Sequence, residues 1–466
     1  MTSPDERGGS IPIHLVYEED LESWRASQAD SARNWISAHA FTAERNHVLV
    51  APGPQGRPAG VALGMGRRIA HEKFSCWLAA GLPDRLPEGQ YHLADTLEAS
   101  AAFQFALGWA YGQYKFDRYR RSAARNVQLK LPAGLDAAEI ERLRKALTLA
   151  RDLINTPAND MSPEALAEAA LEVARQYGAR WRVVVGDDLL KERFLAIHAV
   201  GRAAAVEPRL VDIQWGDPSH PKVTLVGKGV CFDSGGLDIK PSASMLLMKK
   251  DMGGAAVALA LAQLVMDARL AVRLRVLLPI VENAIAGNAF RPGDVLLTRK
   301  GLSVEVGNTD AEGRLILGDA LALADEEKPE LLIDLATLTG AARVALGPEL
   351  PALFSTDDAA ASELQRIGLT QSDPLWRMPL WTAYEEELSS KVADLNNASS
   401  SAFSGAILGA LFLKRFVADA RTWMHIDLYA WNGKERPGRP LGAEPQTVRA
   451  LYAFLEQRYP CAVFAR

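Results

Sequence analysis

The sequence predicts an α/β protein, in which a smaller N-terminal α/β domain precedes a C-terminal domain with a central, mostly parallel sheet flanked by helices. The chain has 466 residues, which is long for a single hydrophobic core. Its 48% hydrophobic and 23% charged residues are typical of a globular protein. After residue 157, strand and helix patterns alternate, which favours parallel strands connected by helices. We therefore predict an N-terminal domain at 1–132, a connecting helix at 133–157 and the main domain at 158–466.

The first third of the chain is alanine-rich, and only a few of its segments have a clear pattern. Residues 47–51 are typical of a strand and residues 97–114 of a helix. Another helix is expected after Asp136, which can cap it, and its apolar stripe continues to about Ile154. This is the predicted connecting helix.

The alternation of elements begins after residue 157. Ser162 is a good N-cap and Pro163 suits the first helical position, so we predict a helix that Gly178 closes. The next segments are predicted as strands at 181–185, 210–215, 223–226, 274–281 and 331–335, and as helices at 252–266 and 318–326. Sheets of this kind bind ligands at the carboxyl ends of their strands.

The composition argues against several classes of protein. A net charge of −5 does not suit a nucleic-acid-binding role, since phosphate binding needs a basic surface. Three scattered cysteines are too few for a disulfide framework or a thiolate metal site: Cys76, Cys231 and Cys461. The longest apolar run, 255–266, is too short to span a bilayer. The segment 1–10 is polar and lacks the apolar stretch that a signal peptide needs. We expect a cytoplasmic protein without membrane or nucleic-acid partners.

The segment 308–315 contains two carboxylates, Asp310 and Glu312, followed by Arg314. In an extended segment, residues two apart point to the same side, so these carboxylates would converge. Two buried negative charges at that distance repel unless a cation lies between them. An acidic surface turn is the commoner explanation of an isolated pair of this kind. The segment alone therefore leaves a divalent metal site and a surface turn open.

A glycine-rich turn at 227–236 follows the predicted strand 223–226, at a strand end where a site is expected. Its Lys228 could contact phosphate, but the nucleotide-binding P-loop pattern is absent. We interpret Lys228 as a lysine close to a crowded centre, where it could ligate a metal as the neutral amine if its pKa is strongly depressed. A solvated loop lysine is the alternative.

Two further charged residues and the histidines complete the candidates. Lys240 precedes a proline that disfavours helix, and from a fixed loop it could stabilise an oxyanion; a solvated lysine is again the alternative. Asp251 could cap the following helix or face a site above the sheet. None of the eight histidines forms a ligand pair, and His425 is expected to pack inside. Any metal would have mainly oxygen ligands, which suit magnesium or manganese and which zinc also accepts.

Together, these segments resemble the cytosolic leucyl aminopeptidase family of two-metal exopeptidases. The resemblance rests on motifs in the family's order, at 152–157, 226–229, 233–236, 239–242, 250–256, 283–284, 291–294, 308–315 and 334–340. It implies a metal-dependent aminopeptidase that removes the N-terminal residue from peptides with a free N-terminus. It further implies a homohexamer and makes 158–466 the catalytic metallopeptidase domain.

The resemblance also implies a metal-binding role for five residues. Two divalent ions, manganese or zinc, would be bridged by Asp233 and Glu312. Lys228 and Asp251 would complete one site, and Asp310 the other. A water or hydroxide bridging the two metals would be the nucleophile.

The resemblance implies that Lys240 and Arg314 are the catalytic pair. Lys240 would stabilise the oxyanion, and Arg314, which stays protonated, would hold a bicarbonate that shuttles the proton. The pocket for the first side chain of the substrate would include Met248, Thr337, Leu338 and Gly340.

One segment departs from the family pattern. Where the family usually has isoleucine, alanine and glycine after a Trp-x-His-Leu-Asp motif, this chain has Leu428, Tyr429 and Ala430 after Asp427. Larger residues at 428–445 are therefore expected to alter the preference for leucine or the contacts between subunits. Two other functions are the alternatives. A DNA-binding or regulatory protein is disfavoured by the acidic balance of the chain. Another two-metal hydrolase, such as a phosphoesterase, is disfavoured by Lys228 and by the complete motif set.

Overall fold

The computed structural model describes residues 9–53, 56–69, 73–121 and 125–461, so most of the polar segment 1–10 lies outside the described residues. The chain forms two compact units, Met1–Lys145 with Lys434–Leu441, and Ala146–Gly433 with Gly442–Arg466. The predicted class, α/β with two domains, is confirmed. The division falls within one long helix and assigns Lys434–Leu441 to the first unit, and the boundaries expected at 132 and 157 stay a prediction.

The first unit is a small α/β domain. Its described strands are β1 (Ile11–Tyr17), β2 (Val48–Pro52), β3 (Pro58–Gly66), β4 (Gly89–Leu93) and β5 (Val127–Lys130). Its described α-helices are α1 (Leu21–Ala26), α2 (Asp30–Ala38), α3 (Leu82–Arg85) and α4 (Ala99–Gly112). The sheet has the order β2-β3-β1-β4-β5, with β2 and β3 antiparallel and the other pairs parallel. The strand and helix predicted in this third are confirmed.

Helix α5 (Ala137–Asn155) begins where predicted, because Asp136 Oδ1 accepts a hydrogen bond from the Ala138 N–H at 2.8 Å. The helices that follow are α6 (Pro163–Gln176), α7 (Asp188–Lys191), α8 (Leu195–Gly201), α9 (Ser242–Met245), α10 (Gly253–Asp267), α11 (Glu312–Asp325), α12 (Gly340–Leu346), α13 (Asp358–Thr370), α14 (Gly405–Lys414) and α15 (Val448–Arg458). Ser162 caps α6 through a hydrogen bond from the Ala165 N–H, as predicted.

The strands of the second unit form mixed sheets. They are β6 (Arg180–Val185), β7 (Arg209–Trp215), β8 (Lys222–Gly227), β9 (Gly229–Asp233), β10 (Arg273–Asn283), β11 (Val295–Leu297), β12 (Ser303–Glu305), β13 (Leu331–Ala336), β14 (Ala352–Ser355), β15 (Trp376–Arg377), β16 (Leu395–Asn396), β17 (Thr422–Asp427), β18 (Trp431–Asn432) and β19 (Gly442–Ala443). The main sheet has the order β15-β14-β17-β13-β8-β10-β7-β6, and β9 also pairs with β10. Its centre, β17-β13-β8-β10, is parallel, as predicted.

The parallel centre brings several polar residues to one edge of the sheet. Lys228 follows β8, Thr337 follows β13, and Asp427 is the last residue of β17. Gly227 is paired with Leu335, and Ala336 with Asp427, so these strand ends are in register. The edge is therefore the ligand-binding edge expected of a parallel sheet.

Helix α10 packs tightly behind this edge. A Cβ at Gly254 would lie 2.1 Å from the carbonyl oxygen of Leu335 on β13, so only glycine allows the helix to begin so close to the sheet. The N–H of Ala255 donates to the carbonyl of Lys228 at 2.8 Å. These contacts place the turn before α10, a 3-10 helix at Met248–Met252, next to the ends of β8 and β13.

Two candidate residues, His425 and Asp251, are buried, and the structure decides between the two roles that the sequence left open for Asp251. His425 is fully buried, with Nδ1 2.5 Å from Asp334 Oδ1, and it packs inside as predicted. Asp251 does not cap α10, since the N-cap residue is Met252 and Asp251 lies one residue earlier in the 3-10 helix. Within the described ranges, no helix combines the length and the apolarity needed to cross a bilayer.

Candidate active site

Three carboxylates converge at the sheet edge. One oxygen from each of Asp233, Asp310 and Glu312 lies within 4.8 Å of the others. Asp233 and Glu312 are buried and Asp310 is partly buried. The structure thus brings together the two carboxylates of 308–315 and one from the glycine-rich turn.

Asp233 is held at the end of β9 by two hydrogen bonds to Oδ1. The Gly235 N–H donates at 2.9 Å and the side chain of Asn283 donates at 2.8 Å. Its other oxygen, Oδ2, faces Lys240 Nζ at 2.7 Å. The carboxylate is therefore fixed on one side and turned to the cluster on the other.

The extended conformation predicted for 308–315 is wrong, as is the helix start at 318. The side chain of Asn308 accepts a hydrogen bond from the Asp310 N–H at 2.7 Å and caps a 3-10 helix at Thr309–Ala311. Helix α11 then begins at Glu312. The two carboxylates converge because a tight turn feeds directly into a helix, and Asp310 and Glu312 lie at its N-terminal end, where negative charge is favoured.

Lys228 lies between two carboxylates of the site. Its Nζ is 2.8 Å from Asp251 Oδ2 and 2.9 Å from Glu312 Oε1, and it donates to the carbonyl of Thr337 at 3.1 Å. A Cβ at Gly313 would lie 2.5 Å from Lys228 Cε, so the glycine after Glu312 makes room for the lysine. Lys228 is thus not a surface lysine.

Lys240 lies on the other side of the cluster. Its Nζ forms ion pairs with Asp233 Oδ2 at 2.7 Å and with Asp310 Oδ1. Its backbone N–H donates to the carbonyl of Ser234 at 3.0 Å, which fixes the loop that carries it. The two lysines therefore divide the carboxylates into two pairs.

The donor set fits divalent cations. At this site, four buried carboxylate oxygens accept no hydrogen bond from the described residues: Asp251 Oδ2, Asp310 Oδ1, and both oxygens of Glu312. Lysine ammonium groups lie beside three of them as ion pairs. Clustered carboxylate oxygens are the ligands that hard divalent cations prefer.

Burial and mutual repulsion shift the pKa values of the cluster. Burial and then the charge of Asp233 raise the pKa of Glu312 to about 8 and that of Asp310 to about 6. Burial alone would lower the pKa of Lys228, as expected from the sequence, but the facing carboxylates outweigh it and raise that pKa. Without a cation, Lys228 is therefore charged and must lose its proton before it can ligate a metal.

Mn²⁺ affinity is expected to increase with pH across the range from about 6 to 8, because cations bind deprotonated ligands. Below about pH 6, Asp310 and Glu312 are both protonated, and Mn²⁺ binding must release both protons. Between about pH 6 and 8, Asp310 is ionised and Glu312 still holds a proton that Mn²⁺ binding must release. The Kd should fall by at least about tenfold per pH unit between pH 6 and 8. Calorimetric titration in two buffers of different ionisation enthalpy measures both Kd and proton release. A Kd that does not change over this range would contradict the protonation described.

Arg314 points from α11 into a buried position near the cluster. Its Nη1 donates to the carbonyl of Asn397 at 2.6 Å, its guanidinium carbon lies 5.9 Å from the centroid of the Phe412 ring, and burial lowers its pKa. Its Nε is buried and has no acceptor among the described residues. Arg314 thus has an unsatisfied donor in a site with room for a small anion.

Asn397 is a structural residue of the site that sequence reasoning missed. Its side chain accepts from the N–H groups of Gly307 and Asn308 at 2.8 and 3.2 Å, and donates to the carbonyl of Asn308 at 2.8 Å. It therefore fixes the turn that precedes Asp310. Nothing in its own polar segment marks it, because the contact spans about ninety residues of chain.

A cavity of about 430 Å³ lies beside the cluster. Of the predicted site residues, Glu312 lies behind the lining, and the others line the cavity: Lys228, Asp233, Lys240, Met248, Asp251, Asp310, Arg314, Thr337, Leu338 and Gly340. Asp427, which was not predicted, holds the loop after β13 by accepting from the Leu338 N–H at 2.9 Å and the Thr339 hydroxyl at 2.6 Å. The cavity thus has a rigid floor next to the carboxylates.

Two cations pack against Tyr429 in the same cavity. Lys250 Nζ lies 4.8 Å from the centroid of the Tyr429 ring, and the guanidinium carbon of Arg343 lies 4.6 Å from it. Burial lowers the pKa of Lys250 to about 8. Tyr429 belongs to the segment 428–445 that departs from the family pattern, but neither cation was singled out, since only the fold brings the three together.

Comparison with known proteins places both units in one family. The model of the cytosol aminopeptidase family, catalytic domain, matches residues 148–452. The model of the M17 aminopeptidase N-terminal domain matches residues 11–132. Together these matches span most of the chain.

Individual relatives agree with the family models. The chain is 38% identical over 427 residues to a probable cytosol aminopeptidase of Geobacter sp. strain M21, covering 87% of this chain and 86% of the relative. Among solved structures it is similar to the cytosol aminopeptidase of Coxiella burnetii, with 44% identity, a TM-score of 0.93 and coverage of 98% and 99% of the two chains. It is also similar to the bottromycin maturation enzyme BotP in complex with Mn, with 33% identity, a TM-score of 0.87 and coverage of 96% and 99%.

Proposed function

We propose, because the chain belongs to the cytosol aminopeptidase family, that it hydrolyses the bond after the N-terminal residue of a peptide by means of two divalent cations. Metal-dependent removal of N-terminal residues is the activity of that family, and this chain is a metalloexopeptidase. Five side chains would hold the cations: Lys228, Asp233, Asp251, Asp310 and Glu312. The observation that carries this proposal is the convergence of three carboxylates within 4.8 Å beside the cavity.

The ion pairs suggest how the ligands are shared. Lys228 lies against Asp251 and Glu312, which would form one site with it. Lys240 lies against Asp233 and Asp310, which would belong to the other site. Asp233 and Glu312 are the buried members of the converging carboxylates, and they would be shared by both cations.

The side chains around the cluster would carry the catalytic steps. When bound, the two cations would polarise the scissile carbonyl and supply a water of lowered pKa that can attack it near neutral pH. Burial lowers and the neighbouring carboxylates raise the pKa of Lys240; the net rise keeps it protonated, so it would stabilise the negative charge that develops on the carbonyl oxygen. Arg314 cannot be the base because it stays charged. Its buried Nε without an acceptor would instead hold a bicarbonate, which would supply the base.

The first side chain of the substrate would enter the cavity between Met248 and the loop after β13. Thr337 in that loop donates its hydroxyl proton to Asp251 Oδ1 at 2.7 Å, so the loop is tied to a proposed metal ligand. Asp427 fixes the next two residues through their N–H groups. A rigid pocket next to the cluster would position the scissile bond over the cations. The pocket residues we propose are Met248, Thr337, Leu338 and Gly340.

Three broader proposals follow from the family. The cations would be manganese or zinc, and the complex of the 33% identical enzyme BotP with Mn supports manganese. The enzyme would be a homohexamer. It would act in the cytoplasm, as the name of its relatives suggests.

Removal of metal is expected to abolish peptide hydrolysis, and added Mn²⁺ or Zn²⁺ should restore it. The measurement is release of the first residue from a series of aminoacyl peptides after treatment with a chelator and dialysis. N-terminally acetylated peptides serve as controls and should not be cleaved. Metal-dependent hydrolysis of a phosphomonoester without release of any amino acid would overturn the proposal in favour of a phosphoesterase.

A further inference from the structure

We propose that the cavity selects peptides whose first side chain ends in a carboxylate, which Lys250 and Arg343 bind beside the ring of Tyr429. The inference rests on the proposed function, since it names the substrate class of the same site. It concerns three residues that none of the metal-binding and catalytic roles described above uses.

Lys250 is a buried cation without an anion. Its side chain lines the cavity, yet the residue is only 4% exposed. Among the described residues its ammonium group makes no hydrogen bond or ion pair, and it lies 4.8 Å from the centroid of the Tyr429 ring. A buried ammonium group is costly unless a partner neutralises it. An anionic ligand in the cavity would therefore be stabilised by Lys250.

The carboxylates nearest to Lys250 already have other partners. Asp251, the next residue, is paired with Lys228 at 2.8 Å. Asp427 accepts from Thr339 through both its N–H and its hydroxyl. Both carboxylates act on Lys250 through their charge alone and are bonded elsewhere, so a carboxylate of the substrate would be the first anion in direct contact with its ammonium group.

Arg343 and the fixed ring of Tyr429 complete the site. The Arg343 guanidinium lies 4.6 Å from the ring centroid and forms no ion pair among the described residues. The backbone N–H of Tyr429 donates to Gln446 Oε1 at 3.0 Å, which holds the start of this segment in place. Two cations against one ring make a region of positive potential on the cavity wall, and a carboxylate can bind to both.

The position of these residues favours the first side chain of the substrate. Lys250 and Tyr429 line the same cavity as Met248 and Leu338, which we propose as the pocket for that side chain. A free C-terminal carboxylate of a very short peptide has the same chemistry, so the two sources have to be distinguished by experiment. An apolar first side chain would leave Lys250 unpaired. Hydrogen bonds to charged groups contribute about 1.5–3 kcal/mol, so the preference should be about tenfold or more.

The test compares kcat/KM for peptides that differ only in their first residue, Glu, Gln or Leu, each with a free and an amidated C-terminus. Glutamate should exceed its neutral isostere glutamine by about tenfold in the Mn²⁺-loaded enzyme, with either C-terminus. Lys250→Met should bring the Glu/Gln ratio close to one, and Arg343→Gln should lower it. Lys328→Met, which removes a 70% exposed lysine elsewhere on the second unit, is the control and should leave the ratio unchanged.

Several outcomes would overturn the inference. A wild-type ratio of one or below would do so, as would a preference that disappears when the C-terminus is amidated. Arg343→Gln alters an exposed residue, so it tests the inference even if Lys250→Met does not fold. An unchanged Glu/Gln ratio in Arg343→Gln would exclude a role for Arg343 in binding the carboxylate. If leucine and glutamine are released without any preference for glutamate, only this inference fails. If no residue is released, the proposed function fails and the inference with it.

Discussion

Replacing Glu312 with glutamine is expected to remove both cations and lower kcat/KM by about a thousandfold or more, since bound cations contribute several kcal/mol to such reactions. Glu312 is fully buried at the start of α11, and its oxygens belong to the converging cluster. Glutamine has the same shape but no charge, so the variant removes a shared ligand without opening a cavity. Metal content by plasma mass spectrometry and kcat/KM on one peptide are the two measurements.

The control for this prediction is Glu386→Gln, since Glu386 lies exposed on the same unit and far along the chain from the site. It should keep full metal content and activity. The melting temperatures of both variants and of the wild type should be compared in chelator, so that loss of metal is separated from loss of fold. A Glu312→Gln enzyme that keeps two cations per chain and full activity would contradict the role proposed for Glu312.

Replacing Lys240 with methionine is expected to lower kcat by about a hundredfold to a thousandfold while metal content stays full. Lys240 faces Asp233 and Asp310. It contributes a positive charge to the site but is not one of the proposed metal ligands. Methionine keeps an unbranched side chain of nearly the same length and removes the charge. If Lys240 stabilises charge that appears only in the transition state, kcat falls and KM changes little.

Lys191→Met is the matched control, because this lysine is 76% exposed and pairs only with a neighbour on its own helix. Its kcat should equal that of the wild type. A Lys240→Met enzyme with unchanged kcat and a raised KM would show a role in substrate binding instead. A variant that loses metal would show that Lys240 supports the ligands themselves.

The sequence predicts most of the parallel centre of the second unit, because the strands at 223–226, 274–281 and 331–335 have clear patterns and motifs follow their ends. Ser162 caps its helix as a local rule requires, and Lys228 follows a strand of the parallel centre. Even the convergence of Asp310 and Glu312 was predicted, although for the wrong reason. We expected the two side chains to converge because alternate residues of an extended segment point to the same side. In the structure, Asn308 instead caps a 3-10 helix that leads directly into α11.

The parts that could not be predicted depend on distant contacts. Asn397 supports the 308–315 segment from about ninety residues further along the chain. Lys250, in the 3-10 helix before α10, and Tyr429, just after β17, lie far apart in the sequence and come together only in the fold. Lys434–Leu441 joins the first unit even though it lies between β18 and β19 of the second, which no local pattern indicates.

The central claim is that this chain binds two divalent cations between five named side chains. The most direct measurement is an anomalous difference map from crystals grown with Mn²⁺. The account predicts two peaks per chain, both between Asp233 and Glu312, with Lys228 and Asp251 beside one and Asp310 beside the other. An absence of peaks among these side chains at saturating Mn²⁺, or a single peak elsewhere in the cavity, would contradict it.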